Sequence, residues 1–283
     1  MSKRREVERR LRALGEIKDI LKAMKNLSLM EVRKLTRFVS TQHRVVESIE
    51  SAAEDFLGFY PHFLVEAEKR RNVCLLIGSE RGFCGDFNEA LLSALGANLH
   101  GTLQGEVTLV VVGRRLSAKL ADHPRIAAHL DGPCVVEEVG PVLVRLMETI
   151  NGLRTEQGPL YPLRLTVYHH TADERVVGIS TFQPFKQFKG KGTCFSHPPR
   201  LNLSQASFLA ELAEQYLFHH IHGLFYGSLM AENLQRLQHM DNAIQSIEKE
   251  STQLFQKCNT LRQEEITEEI ETIMLSAEAL KKI

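Results

Sequence analysis

The chain has 283 residues, 43% hydrophobic and 25% charged, with 35 basic and 35 acidic side chains summing to no net charge, which is an ordinary soluble composition for one large or two smaller domains. Its longest apolar runs, Val107 to Val112 and Val73 to Ile77, are far too short to cross a bilayer, and Met1 to Glu6 lacks a signal-peptide core. Five scattered cysteines (Cys74, Cys84, Cys134, Cys194, Cys258) form no Cys-x-x-Cys pair, so neither a disulfide framework nor a zinc site is indicated and a reducing compartment fits, in the cytoplasm or peripheral to a membrane.

The first predicted element is one long helix from Ser2 to about Gly58, broken only by Gly15 before Pro61. Val7, Leu14, Leu21, Leu35, Ile49 and Phe56 share one seven-residue register, and Ile17, Met24, Phe38, Val45 and Ala52 share an offset one. A period of 3.5 residues held this long predicts a left-handed coiled coil, because a solitary surface helix favours 3.6. After Pro61 the pattern changes to short β-rich runs alternating with helices. Val73 to Ile77, Val107 to Val112, Val135-Val136, Leu163 to His169 and Val176 to Phe182 read as strands, with helices over Phe87 to Leu99 and Pro141 to Arg154. Continuous apolar strands predict a parallel sheet covered on both faces.

Helical pattern returns at Ser204, an N-cap for Gln205 to Leu217, with Gly223 and Gly227 as interruptions before a last run. That run, Ser228 to Ile283, contains no Gly and no Pro. Its seam Leu237, Met240, Ile244, Ile247, Leu254, Cys258, Leu261 keeps register, then resumes one residue out of phase as Ile266, Ile270, Ile273, Ala277, Leu280. Either the first helix has ended there, or the tip turns a new face to a third partner. Residues 1 to 45 carry 13 Lys/Arg against 5 Asp/Glu, and residues 241 to 278 carry 3 against 9. An antiparallel pairing of the two ends therefore sets a basic helix beside an acidic one.

Candidate chemistry is sparse. Ser79 to Asn88 follows a strand, where doubly wound folds place phosphate loops, but it has no Gly-x-Gly-x-x-Gly and Arg81, Phe83 and Asp86 would crowd a pyrophosphate. Arg81, Gly82, Cys84 and Gly85 read as a structural turn. Gly190-Lys191-Gly192-Thr193 lacks the upstream Gly of a P-loop and has Gly where Ser or Thr should follow the Lys. His219, His220 and His222 have no nearby carboxylate or thiol to complete a metal shell, and read as helix surface. Arg81 could lower the pKa of Cys84, yet no His or Asn motif supports a nucleophile. The basic first helix carries a full apolar seam without interleaved aromatics, which suits a protein-facing coil better than nucleic acid.

Three separated segments resemble the gamma-subunit family of F-type ATP synthases, the central rotor stalk. Ile20-Leu21-Lys22-Ala23-Met24 is similar to the family's Ile-Thr-Lys-Ala-Met. Ser79-Glu80-Arg81-Gly82-Phe83-Cys84-Gly85-Asp86-Phe87-Asn88 resembles Ser/Thr-Asp-Arg-Gly-Leu-Cys-Gly-Gly-x-Asn, and Met240-Asp241-Asn242-Ala243 with Arg262-Gln263, Ile266-Thr267 and Glu269 resembles the last helix. The departures at Glu80, Asp86, Ser276 and Gly15 mark a divergent branch.

The resemblance implies a fold of two parts: a long antiparallel coiled coil of the terminal helices (1–60 and 204–283) and a central Rossmann-like α/β domain (61–203). It implies no catalytic residue, cofactor or metal in this chain. It implies instead that the coil penetrates a ring of alpha and beta subunits, with the central domain on the membrane c-ring beside the epsilon subunit, on the cytoplasmic face of a bacterial membrane. By position, Arg262, Gln263, Thr267 and Glu269 would contact the beta-subunit region that grips the stalk, and Lys22 and Met24 would lie near its acidic lever. The competing expectations are a stand-alone α/β nucleotide-dependent enzyme with helical dimerisation arms, and a nucleic-acid-binding coil.

Overall fold

The computed structural model describes residues 3–63, 71–101, 107–155, 163–171, 176–182, 185 and 195–280. It divides into two compact units: 28–236, and a second made of 1–27 with 237–283. Two helices pass through that division, α1 (Lys3–Phe59) and α5 (Gln205–Leu280).

Within 28–236 a five-stranded sheet is built from β1 (Arg71–Ile77), β2 (Val107–Val112), β3 (Ile126–Leu130), β4 (Leu163–His170) and β5 (Val177–Phe182), in the order β3-β2-β1-β4-β5. The central pairings are parallel, as the continuous apolar runs of β1 and β2 predict. Alternate residues of β1 serve two cores. Val73, Leu75 and Ile77 join Leu35, Phe56, Leu57, Tyr216, Phe225 and residues of α4 (Val139–Thr155). Cys74 and Leu76 join Phe87, Leu91 and Leu95 of α2 (Phe87–Gly101) and Leu116 of α3 (Arg114–Lys119). The sheet is thus covered on both faces, each buried large side chain contributing roughly 1.5–3 kcal/mol.

Three expectations need correction. The sheet is not wholly parallel, since β5 runs antiparallel to β4; the connection 171–176 is too short for a crossover, so a return strand is the only closure available. Val135-Val136 is no strand: a 3-10 turn, Val136–Glu138, leads directly into α4, and the Glu138 carboxylate accepts the Cys134 N–H at 2.6 Å. The third strand is instead β3, whose Ala-Ala-His centre has weak β propensity and whose residues are only half-buried or exposed. Gly223 and Gly227 do not interrupt α5, which runs unbroken through both. A Cβ at Gly223 would lie 3.6 Å from the Gln42 side chain, and one at Gly227 4.0 Å from the His170 carbonyl, both ordinary contact distances, so neither glycine marks a break or a close approach.

Ser204 caps α5 as expected, its hydroxyl accepting the Ser207 N–H at 3.2 Å. At the tight junction of β2 and α3, Gly113 has φ 104°, and a Cβ there would lie 2.6 Å from the Gly78 carbonyl oxygen. Only glycine fits that position.

In the second unit the two chain ends pair antiparallel. Lys25 bonds Asp241 at 2.5 Å, Arg10 bonds Glu250 at 2.6 Å and Arg4 reaches Glu265 at 3.3 Å, so rising numbers on α1 meet falling numbers on α5. The pairing of basic with acidic helix is the one the charge distribution predicts. The apolar centre is Leu21, Met240 and Ile244, flanked by Met24, Ala243 and Ile247.

The seam on α1 has one surprise. Its first register holds, and Ser28 and Gln42 fill the two positions where no apolar residue stood, both buried. The offset register holds only in part: Met24 and Val45 are half-buried, whereas Ile17, Phe38 and Ala52 are exposed. The second column is instead Arg4, Leu11, Lys18, Lys25, Val32, Val39, Val46 and Ala53. Long basic side chains cover apolar surface with their stems, so they occupy seam positions that a count of apolar residues passes over.

Candidate functional site

The loop after β1 sits at the carboxyl ends of β1 and β4, where open α/β sheets place ligands. Here α5 fills that place. Ser228 donates to the Ile77 carbonyl at 3.4 Å. Glu232 accepts the backbone N–H groups of Glu80 and Arg81 and pairs with Arg236 one turn on. Arg236 donates to the Gly82 carbonyl at 3.2 Å, to Asn233 Oδ1 at 2.9 Å and to Cys84 Sγ at 3.4 Å. Glu232 and Arg236 are both almost fully buried.

A second carboxylate holds the loop from its other side. Glu80, buried, accepts the Arg114 and Gly132 N–H groups, each at 2.8 Å, and the Arg114 guanidinium at 2.7 Å. Inside the loop, Ser79 N–H donates to Asn88 Oδ1 at 3.0 Å, and the Asn88 amide to Ser79 Oγ at 2.9 Å. His170 stacks on Phe87 with ring centres 3.8 Å apart, and its Nε2 lies 2.8 Å from the Phe87 carbonyl. Gly85 and Phe83 both adopt left-handed backbone, φ 57° and 63°, and the Phe83 ring is exposed. For a non-glycine residue that conformation costs about 1–2 kcal/mol.

Cys84 is inert. Burial, followed by the Glu232 charge, pushes its thiol up to about 12 despite the neighbouring Arg236. The predicted structural turn of Arg81, Gly82, Cys84 and Gly85 is therefore a clamp on α5. The sequence reading missed Glu232, Asn233 and Arg236 altogether. Their signal is the i, i+4, i+8 spacing of Ser228, Glu232 and Arg236 on a face otherwise carrying Phe225, Leu229 and Met240.

The three histidines of α5 are not plain helix surface. His219 shares a 2.9 Å contact with Gln42, His220 packs edge-on to Phe182, and His222 lies against Tyr226 with ring centres 4.5 Å apart. Burial depresses the pKa of each. Among the described residues no group of three or more His, Cys, Asp or Glu is arranged to hold a metal. Gly190 to Thr193 lie outside the described residues.

The expected contact residues fall on two tracts of the second unit. Lys22 is exposed on α1, while Met24 is half-buried and packs beside Leu21, Met240 and Ile244. Arg262, Gln263, Thr267 and Glu269 are all exposed on α5, with Thr267 donating to the Gln263 carbonyl at 2.9 Å. α1 starts at Lys3, and Arg4 meets α5 at Glu265. The slip in the seam falls immediately beyond that pair. Ile266, Ile270, Ile273, Met274 and Leu275 are 46–67% exposed, an apolar stretch on the outside of α5. No described helix is long and apolar enough to cross a membrane.

An antiparallel pair of terminal helices with a five-stranded α/β domain between them in sequence is the make-up of a rotary ATPase central stalk, and the comparisons agree. A family model described as ATP synthase matches residues 3–280. The chain belongs to this family, as a gamma subunit of the ATP synthase central stalk. Among curated relatives, the ATP synthase gamma chain of Clostridium perfringens is 23% identical over 289 residues, covering 98% of each chain. That of Syntrophobacter fumaroxidans is 25% identical over 302 residues and covers all of both. Among solved structures, a chain of the Euglena gracilis mitochondrial ATP synthase OSCP/F1/c-ring assembly superposes with a TM-score of 0.61 at 15% identity, over 98% of this chain and 94% of that one.

Proposed function

We propose that this gamma subunit is the non-catalytic shaft of a membrane-associated F-type ATP synthase. It couples ion passage through a c-ring to ATP synthesis or hydrolysis in a ring of alpha and beta subunits, with the epsilon subunit beside its α/β domain. The complex sits on the cytoplasmic face of a bacterial membrane. Rotation of an asymmetric coil drives each catalytic site in turn through different affinities for ADP, phosphate and ATP. The observation that carries this reading is the end of α5, where Ile266 and Ile270 continue the seam out of phase and are exposed. A helix tip apolar on the outside suits an apolar sleeve supplied by another chain.

Beside that tip, Arg262, Gln263, Thr267 and Glu269 offer the polar contacts to the beta subunits. On α1, Lys22 and the exposed Arg5, Arg9, Arg12 and Arg33 present positive charge to acidic surfaces passing them. Met24, half-buried beside Leu21, Met240 and Ile244, lies with Lys22 near the acidic lever of the beta subunit in this scheme. Coupling in this scheme needs stiffness and asymmetry only, so no side chain here handles substrate.

The test replaces Arg262 and Gln263 with Ala in the assembled complex. Both are exposed, so the free chain should keep its helix content and melting temperature, with changes inside about 0.5 kcal/mol. Ions pumped per ATP should fall at least two-fold. An unchanged ratio would remove these residues from the coupling contact and reduce the slip to a local packing feature.

A further inference from the structure

The exposed tracts account for contacts with other subunits, but not for the most buried polar set on α5. Ser228, Glu232 and Arg236 occur at successive turns of one face and meet the loop in order: Ile77 carbonyl, Glu80 and Arg81 N–H, then the Gly82 carbonyl and Cys84 sulfur. Packing alone does not explain this choice. A buried ion pair is no more stabilising than well-packed apolar residues of the same volume, because both ions lose their water. Apolar contact is also non-directional, whereas hydrogen bonds fix angle and position. The apolar core around Phe225 and Leu229 already holds the helix on the sheet, and the hydrogen bonds of Glu232 and Arg236 add directional contacts that fix its rotational setting against the loop after β1.

We infer that Glu232 and Arg236 are positioning residues that lock the rotational phase of α5 to the α/β domain, so that torque applied to the domain enters the helix at residues 228–236 without slip. The inference rests on the rotary reading for its consequence, while the lock itself rests on geometry. Glu80 completes the path. Its buried carboxylate ties the same loop to the backbone at Arg114 and Gly132, so a twist of the sheet reaches α5 through a chain of hydrogen bonds. Arg236 is the last residue of its compact unit. The helix continues from there as the partner of residues 1–27.

Glu232→Gln, Arg236→Met and Arg236→Lys, each in the full complex, test the lock with two readouts. The first is alkylation of Cys84, mapped by mass spectrometry, which reports whether the loop has left α5. It should rise at least ten-fold in Glu232→Gln and Arg236→Met. The second is ions pumped per ATP in reconstituted vesicles, which should fall at least two-fold in those variants and recover in part in Arg236→Lys, which keeps the charge and a donor. If Cys84 is exposed to reagent while the pumping ratio stays at the parent value, the clamp is only a local fastener and the inference is wrong. If Arg236→Met does not assemble, the same two readouts on Glu232→Gln and Arg236→Lys decide. Failure of the parent complex to pump at all would count against the rotary reading and not against the lock.

Discussion

His170 packs on Phe87 of α2 and His169 on Ser180 of β5, and both are buried, with burial the main cause of their depressed pKa. In the unfolded chain each titrates near 6.5. Above that value neither state holds the proton and stability is at its full level. As pH falls below about 6.5 the unfolded chain takes up protons that the folded chain resists, so stability declines, by up to about 1.4 kcal/mol per pH unit for each histidine. His219, His220 and His222 shift in the same direction for the same reason. The melting temperature of the purified chain should therefore hold steady from pH 8 to 7 and drop between 6.5 and 5; a flat or rising profile over that interval would contradict the burial of these rings. Residue-scale detail was the least legible part of the sequence. The turn chemistry of Gly82, Cys84 and Gly85 could be read from composition, but their partners Glu232 and Arg236 lie about 150 positions away, and pairing over that distance has no local signal.

At the level of elements, periodicity served well wherever the period was long. Both terminal helices, Ser204 as N-cap, β1, β2 and α2 follow from spacing and propensity alone. What escaped was short or disguised: β3 lacks β-branched residues beyond Ile126, and the coil's second column hides under Lys18 and Lys25. Gly15 belongs to this scale. It lies within α1, and a Cβ added there meets nothing within 4 Å, so no close approach demands glycine. Gly15→Ala should stabilise the helix by about 1 kcal/mol through backbone entropy alone. Thermal unfolding followed at 222 nm measures it. A loss of stability would mean that the site needs the flexibility for something the isolated chain does not show.

Each of the two long helices contributes residues to both compact units. The division by function differs from the division by sequence, because each long helix contributes one part to the α/β unit and another to the coil. Sequence spacing showed long helices and a sheet between them; it could not show where α1 leaves the seam of one unit for the other, since the heptad runs through both without a break. The central claim is that the chain turns as a shaft. With the alpha and beta subunits fixed to a surface and a bead tethered through a cysteine introduced at the exposed Asp122, ATP should drive unidirectional stepwise rotation of the bead. A bead that shows only Brownian motion on complexes that hydrolyse ATP would contradict the account.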